Sequence, residues 1–389
     1  ASVGNHTIKV IAYDEAGNIA RNDTIWFVVD LEEPEISYTA SAENNSIVSN
    51  FTLSWSATDD FGICYAYIEI NGVRYNNTTI VLDVDGEYWI IIYAEDYAGN
   101  SEHVSLHIIV DTKSPQITIV WPSNNSWHSC TTINVSWAIA SEAYGVNIII
   151  AWENMENGTK YQYSLGNATS FPIPVDEGTW RVNVTAIDAA GNSNSTMIII
   201  YVDLTAPTIE YWSSIKNGSI AQSVYLNWSF SDNFGLSEHH VYLNGEELYS
   251  YSVTINTDGY YEIMFYASDY AGNTKTLRLI YIVDTTPPTI EVIYPENYTW
   301  INSDTVNITW VVDEPHFFNT SVRANGTLIY YNTKSLRNSI ISQIVDEGLL
   351  IIEIEAFDQA NNSASVYVYV YVDRTAPEIE IVSPVTGST

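Results

Sequence analysis

Five aspartates occupy one repeated place in this 389-residue chain: Asp14, Asp96, Asp188, Asp269 and Asp358, each opening the phrase Asp-x-Ala-(Gly/Asn)-Asn. A second set, Asp30, Asp111, Asp203, Asp284 and Asp373, each follows a valine 15 or 16 residues later. A third set closes a tryptophan-bearing segment: Asp59 with Asp60, Glu142, Asp232, and Asp313 with Glu314. Two chemistries are open to carboxylates so placed. Singly, an Asp beside Gly and Asn bonds its own backbone and makes a turn. Gathered together, carboxylates repel one another unless protons or a cation neutralise them. A cluster of that kind suits Ca²⁺, which takes about six to eight oxygens from carboxylates and carbonyls.

A second chemical signal is the Asn-x-Ser/Thr sequence, the acceptor pattern for N-linked glycans. It begins at Asn5, Asn22, Asn44, Asn50, Asn76, Asn77, Asn124, Asn134, Asn157, Asn167, Asn183, Asn194, Asn217, Asn227, Asn297, Asn307, Asn319, Asn325 and Asn361. These nineteen exceed the roughly six or seven that such a composition gives by chance. An Asn- and Thr-rich strand surface is the alternative source of such triplets.

Catalytic patterns are missing. The chain has no HExxH, GxSxG, CxxC or phosphate-binding Gly loop, and no Ser, His and Asp set recurs. No catalytic residue is assigned. The two cysteines, Cys64 and Cys130, hold unrelated places in the repeat, so they read as isolated small hydrophobes and not as a disulfide framework.

The elements that must position these groups follow from the repeat. Gly4, Gly86, Gly178, Gly259 and Gly348 each stand ten residues before the first aspartate of a copy. Apolar residues then alternate, as in Tyr88, Ile90, Ile92 and Ala94, which marks a half-buried strand. The small residue at Ala12, Ala94, Ala186, Ala267 and Ala356 implies close approach of a facing sheet. A turn, a second strand ending at Val-Asp, and a Pro-stiffened linker complete the copy. About 21 or 22 residues beyond each Pro lies a strand with Trp55, Trp137, Trp228 or Trp310, which the alternation places in the core. His103 and His107 share one strand face but recur nowhere else, and read as exposed.

Steps between linker prolines are roughly 81, 92, 81 and 89 residues, the size of small β-sandwiches. The formal charge of −34 disfavours nucleic acid or anionic membrane as partners, and no apolar run reaches the ~18 residues of a membrane span.

The phrase Gly259-Tyr260-Tyr261 through Asp269-Tyr270-Ala271-Gly272-Asn273, closed by Val283-Asp284-Thr285-Thr286-Pro287-Pro288, resembles the Ig-like repeats of bacterial and archaeal cell-surface proteins such as adhesins, S-layer proteins and surface filaments. The resemblance spans essentially the whole chain. No Cys pair flanks the recurring Trp, so the antibody type is not implied. The expected fold is all-β, a tandem array of Ig-like antiparallel β-sandwich modules. Residues 1–33 would be the C-terminal part of a module. Modules at 34–114 (short), 115–206 (long), 207–287 (short) and 288–376 (long) would follow, and 377–389 would begin another. The chain would then be a window on a longer array.

Such a fold implies that three acids meet at each junction: Asp30 with Asp59, Asp60 and Asp96; Asp111 with Glu142 and Asp188; Asp203 with Asp232 and Asp269; Asp284 with Asp313, Glu314 and Asp358. Calcium at these seams is what the resemblance implies, plain solvated turns being the alternative. Asp85, Asp176, Asp258 and Asp346, from the loop before each Gly, are expected to add a fourth group. The implied function is structural: a stiff extracellular rod or filament with a glycosylated surface, self-associating or meeting neighbouring surface proteins. The rivals are an adhesin with a sugar or protein site on a long module, using Trp127, Trp152 or Trp300, and a spacer beside a secreted hydrolase.

Overall fold

The computed structural model describes residues 2–140, 144–344, 346–380, 382 and 387. Among these there is no helix, and hence none long and apolar enough to cross a membrane. The chain is all-β and divides into two compact units, Ala1–Leu204 and Thr205–Thr389.

The first unit begins with a hairpin, Gly4–Tyr13 paired to Ile19–Val29. Two sandwiches follow, each a three-stranded sheet against a five-stranded one. In the first sandwich the small sheet is Glu35–Ala40, Phe51–Thr58 and Thr79–Leu82. Its partner sheet runs Ser46–Val48, Ser101–Val110, Gly86–Asp96, Ile63–Ile70, Val73–Tyr75. The second sandwich repeats this order with Gln116–Trp121, Thr132–Ala140 and Ser170–Pro174 against a sheet centred on Gly178–Asp188. The second unit holds two further sandwiches of the same order, centred on Gly259–Asp269 and Gly348–Asp358.

The alternation read from sequence is the burial pattern observed. Ile90, Ile92 and Ala94 are buried, as are Val182, Val184 and Ala186 across the next repeat. Trp55, Trp137, Trp228 and Trp310 are all in the core. Trp137 Nε1 donates to the Ala168 carbonyl at 2.9 Å and Trp55 Nε1 to that of Asn77 at 2.8 Å, so neither buries an unpaired N–H.

Two features depart from expectation. The sandwiches are not purely antiparallel: Ser46–Val48 runs parallel to the end of Ser101–Val110, and the equivalent short strands do the same in every sandwich. The chain leaves the small sheet and crosses to the edge of the large one, giving eight strands to each sandwich. The cysteines are not core hydrophobes either, since Cys64 and Cys130 are free and exposed. No strand is present among the described residues of 377–389.

Candidate cation sites at the acidic turns

Each class of acid uses its oxygens in a characteristic way. The linker aspartate makes a local turn with one oxygen: Asp30 Oδ1 accepts the Glu32 N–H at 3.2 Å, Asp111 Oδ1 that of Lys113 at 3.1 Å, and Asp284 Oδ1 that of Thr286 at 3.2 Å. The acid after the Trp strand does likewise. Asp59 Oδ1 takes the N–H groups of Phe61 and Gly62 at 2.8 and 3.0 Å, and Asp232 Oδ1 takes those of Phe234 and Gly235 at 2.9 and 3.0 Å. The other oxygen of Asp30 and of Asp232 is buried without a hydrogen-bond partner, whereas that of Asp284 faces His316.

The aspartate of Asp-x-Ala-Gly-Asn is different, because both of its oxygens serve the turn. Asp96 Oδ1 accepts the N–H groups of Ala98 and Asn100 at 2.7 and 3.0 Å, while Oδ2 accepts Asn100 Nδ2 at 2.7 Å. Burial pushes the Asp96 carboxyl up, but the Asn100 amide and the turn N–H groups together outweigh it and hold it below the usual range. In the two long repeats the equivalent asparagine also reaches the linker. Asn192 Nδ2 donates to the Asp111 carbonyl at 2.7 Å and Asn362 Nδ2 to the Asp284 carbonyl at 2.9 Å. In those repeats the phrase is a turn lock joined to a linker tether.

In the first unit, ligating atoms of Asp30, Asp59 and Asp96 all lie within 4.8 Å of one another. Asp30 and Asp96 are buried, and Asp30 Oδ2 is buried with no hydrogen-bond partner. An orphaned carboxylate oxygen among two further carboxylates fits a hard cation with oxygen ligands. Asp60, by contrast, points to solvent. In the second unit, Asp284, Glu314 and His316 converge within the same 4.8 Å limit. Glu314 is 5% exposed, and burial, with Asp284 and Asp358 nearby, pushes its carboxyl up. His316 Nδ1 sits 2.9 Å from Asp284 Oδ2, giving this set a mixed nitrogen and oxygen character. Asp313 is exposed and stands outside the set, while Asp358 is engaged by Asn362. A cleft of about 580 Å³ lined by Tyr260, Asp284, Asp313, Glu314 and His316 opens beside it.

The remaining acids fall as follows. Asp232 and Asp269 carboxylates approach within 4.8 Å in the second unit, and Asp203 is fully buried at the end of the first. Asp111 and Asp188 are both buried and joined through Asn192. Glu142 lies outside the described residues.

The loop acids before each Gly do not add a fourth ligand. Asp85 accepts the Thr112 N–H at 2.7 Å and the Lys113 Nζ at 2.6 Å; Asp258 accepts the N–H of Thr285 at 2.6 Å. They clasp the linker. In the long repeats the next residue does this: Glu347 takes the Arg374 N–H at 2.9 Å and Glu177 the Leu204 N–H at 3.3 Å. His316 and the Asn tethers were absent from the sequence reading. The constant Asn four residues after Asp was the available signal for the tether, and nothing in the repeat marked His316.

Among the glycan candidates, Asn44, Asn124, Asn134, Asn217, Asn227, Asn297 and Asn307 are exposed. Asn319 is a correction: it is 8% exposed, on the buried side of Phe317–Ala324, and is not presented at the surface. Of the tryptophans considered for a sugar site, Trp152 is buried with its Nε1 donating to the Pro174 carbonyl at 3.0 Å. Trp300 is exposed and stacks on Tyr371 at 4.7 Å.

The fold and these acidic turns define a tandem array of Ig-like sandwiches. Residues 245–313 match the family model described as bacterial Ig-like domain (group 3). A "Kelch domain-containing protein" of Sulfurisphaera tokodaii is 25% identical over 284 residues, which is 67% of this chain and 36% of that protein. The chain therefore spans about a third of that relative's length. Among solved structures, a tetra-tandem repeat from the extending region of a large adhesion protein is 18% identical, covering 87% of this chain and 99% of its own, with a TM-score of 0.35. The fibronectin(III)-like modules of Clostridium thermocellum CbhA are 15% identical, covering 45% and 99%, with a TM-score of 0.28.

Proposed function

We propose that this chain is a non-catalytic structural region of a cell-surface protein, a stiff array of Ig-like modules at 34–114, 115–206, 207–287 and 288–376, stiffened at its seams by bound cations and coated with N-linked glycans. The observation that carries the cation reading is Asp30 Oδ2, buried without a partner between Asp59 and Asp96. Leaving a carboxylate oxygen there unpaired costs on the order of 1–3 kcal/mol, and a Ca²⁺ ion would recover it. Asp30, Asp59 and Asp96 would hold the ion, which would supply charge neutralisation and fix the linker against the sandwich that follows. The Asx turns already orient these carboxylates, so little ordering cost remains at binding.

Thermal denaturation with Ca²⁺ and with EDTA tests this. An ion at a hundred times its Kd stabilises by about 2.7 kcal/mol. Melting should rise with Ca²⁺, and Asp59→Asn should remove most of the rise. Curves indifferent to both Ca²⁺ and EDTA refute the cation reading while leaving the Ig-like array intact.

A second reading, a sugar- or protein-binding adhesin, has one observation in its favour. On the last sandwich the exposed Tyr298 and Trp300 stack on the half-buried Tyr369 and Tyr371. Glycan-array binding lost in Trp300→Ala would establish it.

A further inference from the structure

Four of the candidate asparagines occupy one structural position, and a fifth, Asn325, makes a similar clamp on the Ile351 N–H at 2.9 Å from another turn. Asn44, Asn124, Asn217 and Asn297 sit in the turn that leads into the short parallel edge strand. Each offers its side-chain Oδ1 to a backbone N–H of the strand alongside: His107 at 2.8 Å, Ile199 at 2.8 Å, Ile280 at 2.8 Å and Tyr369 at 2.9 Å. The following residue returns its own N–H to the carbonyl of that same partner, at 2.6–2.9 Å. The two bonds imitate a β-bridge, and they hold the carboxamide with its Nδ2 free of any hydrogen bond among the described residues.

An internal control separates strand clamping from something further. Asn71 and Asn244 make the same Oδ1 clamp from another turn, on Trp89 at 2.8 Å and Glu262 at 2.8 Å. Their Nδ2 groups are engaged, with the Glu87 carbonyl at 2.9 Å and the Tyr260 carbonyl at 3.3 Å. Two residues on stand Val73 and Glu246, so clamping alone does not require a hydroxyl there. At the four edge-strand turns the residue two on is Ser46, Ser126, Ser219 or Thr299. Ser126 and Thr299 bond back into their turns at 2.7 Å each, but Ser46 and Ser219 have no side-chain bond among the described residues. Their hydroxyls are unexplained by the fold.

We propose that Asn44, Asn124, Asn217 and Asn297 are the glycan-bearing residues of this chain, one on each Ig-like repeat. This rests on the reading that its surface is glycosylated. The donor is a lipid-linked sugar phosphate presented by a transferase. A bond forms between Nδ2 and the anomeric carbon, the bond from that carbon to the phosphate oxygen breaks with the electron pair leaving on phosphate, and one amide proton is released. The product keeps Oδ1 and one N–H, so the strand clamp survives. A surface for the first sugar adjoins the turn. Asn44, Trp89, Ile91, Ser105 and His107 line a depression of about 300 Å³ in which Trp89 and His107 stack at 4.1 Å. Trp127 on Tyr201 at 4.5 Å and Trp300 on Tyr371 at 4.7 Å repeat the aromatic pair beside Asn124 and Asn297.

Glycopeptide mass spectrometry on the protein isolated from the cells that make it tests the assignment. The expected result is high occupancy at all four turn asparagines and low occupancy at Asn134, Asn227 and Asn307. Glycans elsewhere with these four bare would overturn the assignment alone, as would uniform occupancy across all candidates. Bare peptides at every candidate would overturn the glycosylated surface itself. Ser46→Ala and Ser219→Ala, expressed in the same cells, should each remove one glycan and leave the melting temperature within about one degree. A loss of several degrees, with occupancy unchanged, would make those hydroxyls structural and sink the proposal.

Discussion

In the long repeats, the asparagine that ends the Asp-x-Ala-(Gly/Asn)-Asn phrase does two jobs with one amide. Asn362 is buried, and its Nδ2 serves both Asp358 Oδ2 at 2.6 Å and the Asp284 carbonyl at 2.9 Å. Asn362→Ala leaves two buried acceptors unpaired and should cost about 2–4 kcal/mol, measured by urea denaturation. Asn362→Asp should cost more, because it sets a second carboxylate against Asp358. Acid should act on the same scale. The Lys113 ammonium beside Asp85, the Thr285 hydroxyl beside Asp258 and the Arg278 guanidinium beside Glu262 hold these carboxyls below their ordinary values. A depressed carboxylate stabilises the fold above its unfolded pKa, and that contribution is lost as pH falls through the folded value. Melting temperature should stay level from pH 8 to about 5 and drop below about pH 4. A profile that improves on acidification would contradict these clasps.

At the scale of elements, the strands and the recurring Trp were legible from residue spacing because a half-buried strand must alternate. Ala94, Ala186, Ala267 and Ala356 are all fully buried at the fixed inward position. The parallel edge strands were not legible. Ser46–Val48 and Ile220–Ala221 are too short to carry a period, and what places them is an asparagine side chain that bonds a strand about 63 residues away. His316 escaped for a related reason, since one residue in one repeat leaves no pattern to read. Trp310→Ala, which empties a fully buried position, should cost about 3–5 kcal/mol and unfold its own sandwich first. An insertion into the exposed hairpin turn at 155–159 should be tolerated, while the same insertion at Asn192 should not, because the linker tether runs through it.

Across the whole molecule the excess of acids sets the solution behaviour. A formal charge of −34 on 389 residues destabilises the folded state by self-repulsion. Raising monovalent salt from about 20 to 200 mM shortens the Debye length roughly threefold, so the melting temperature should rise even without a divalent ion. A divalent ion at the seams should act at far lower concentration, and the two titrations separate general screening from site occupancy. The Ig-like array was plain in the repeat itself, which states one sandwich four times over. What each seam holds was not, because the acids that converge come from turns far apart in the chain and Asp60 and Asp313, the neighbours of two of them, face away.

The engagement of Asn71 and Asn244 bears on how long such a chain keeps its covalent structure. Both precede glycine, the context in which an asparagine most readily cyclises to a succinimide and deamidates. Here the carbonyl carbon that the glycine nitrogen would attack is held by Oδ1 on one side and Nδ2 on the other, turned onto the neighbouring strand. Prolonged incubation at neutral pH should therefore convert Asn71 and Asn244 far more slowly in the folded protein than in the peptides released from it. The device that pins each hairpin also slows its chemical ageing.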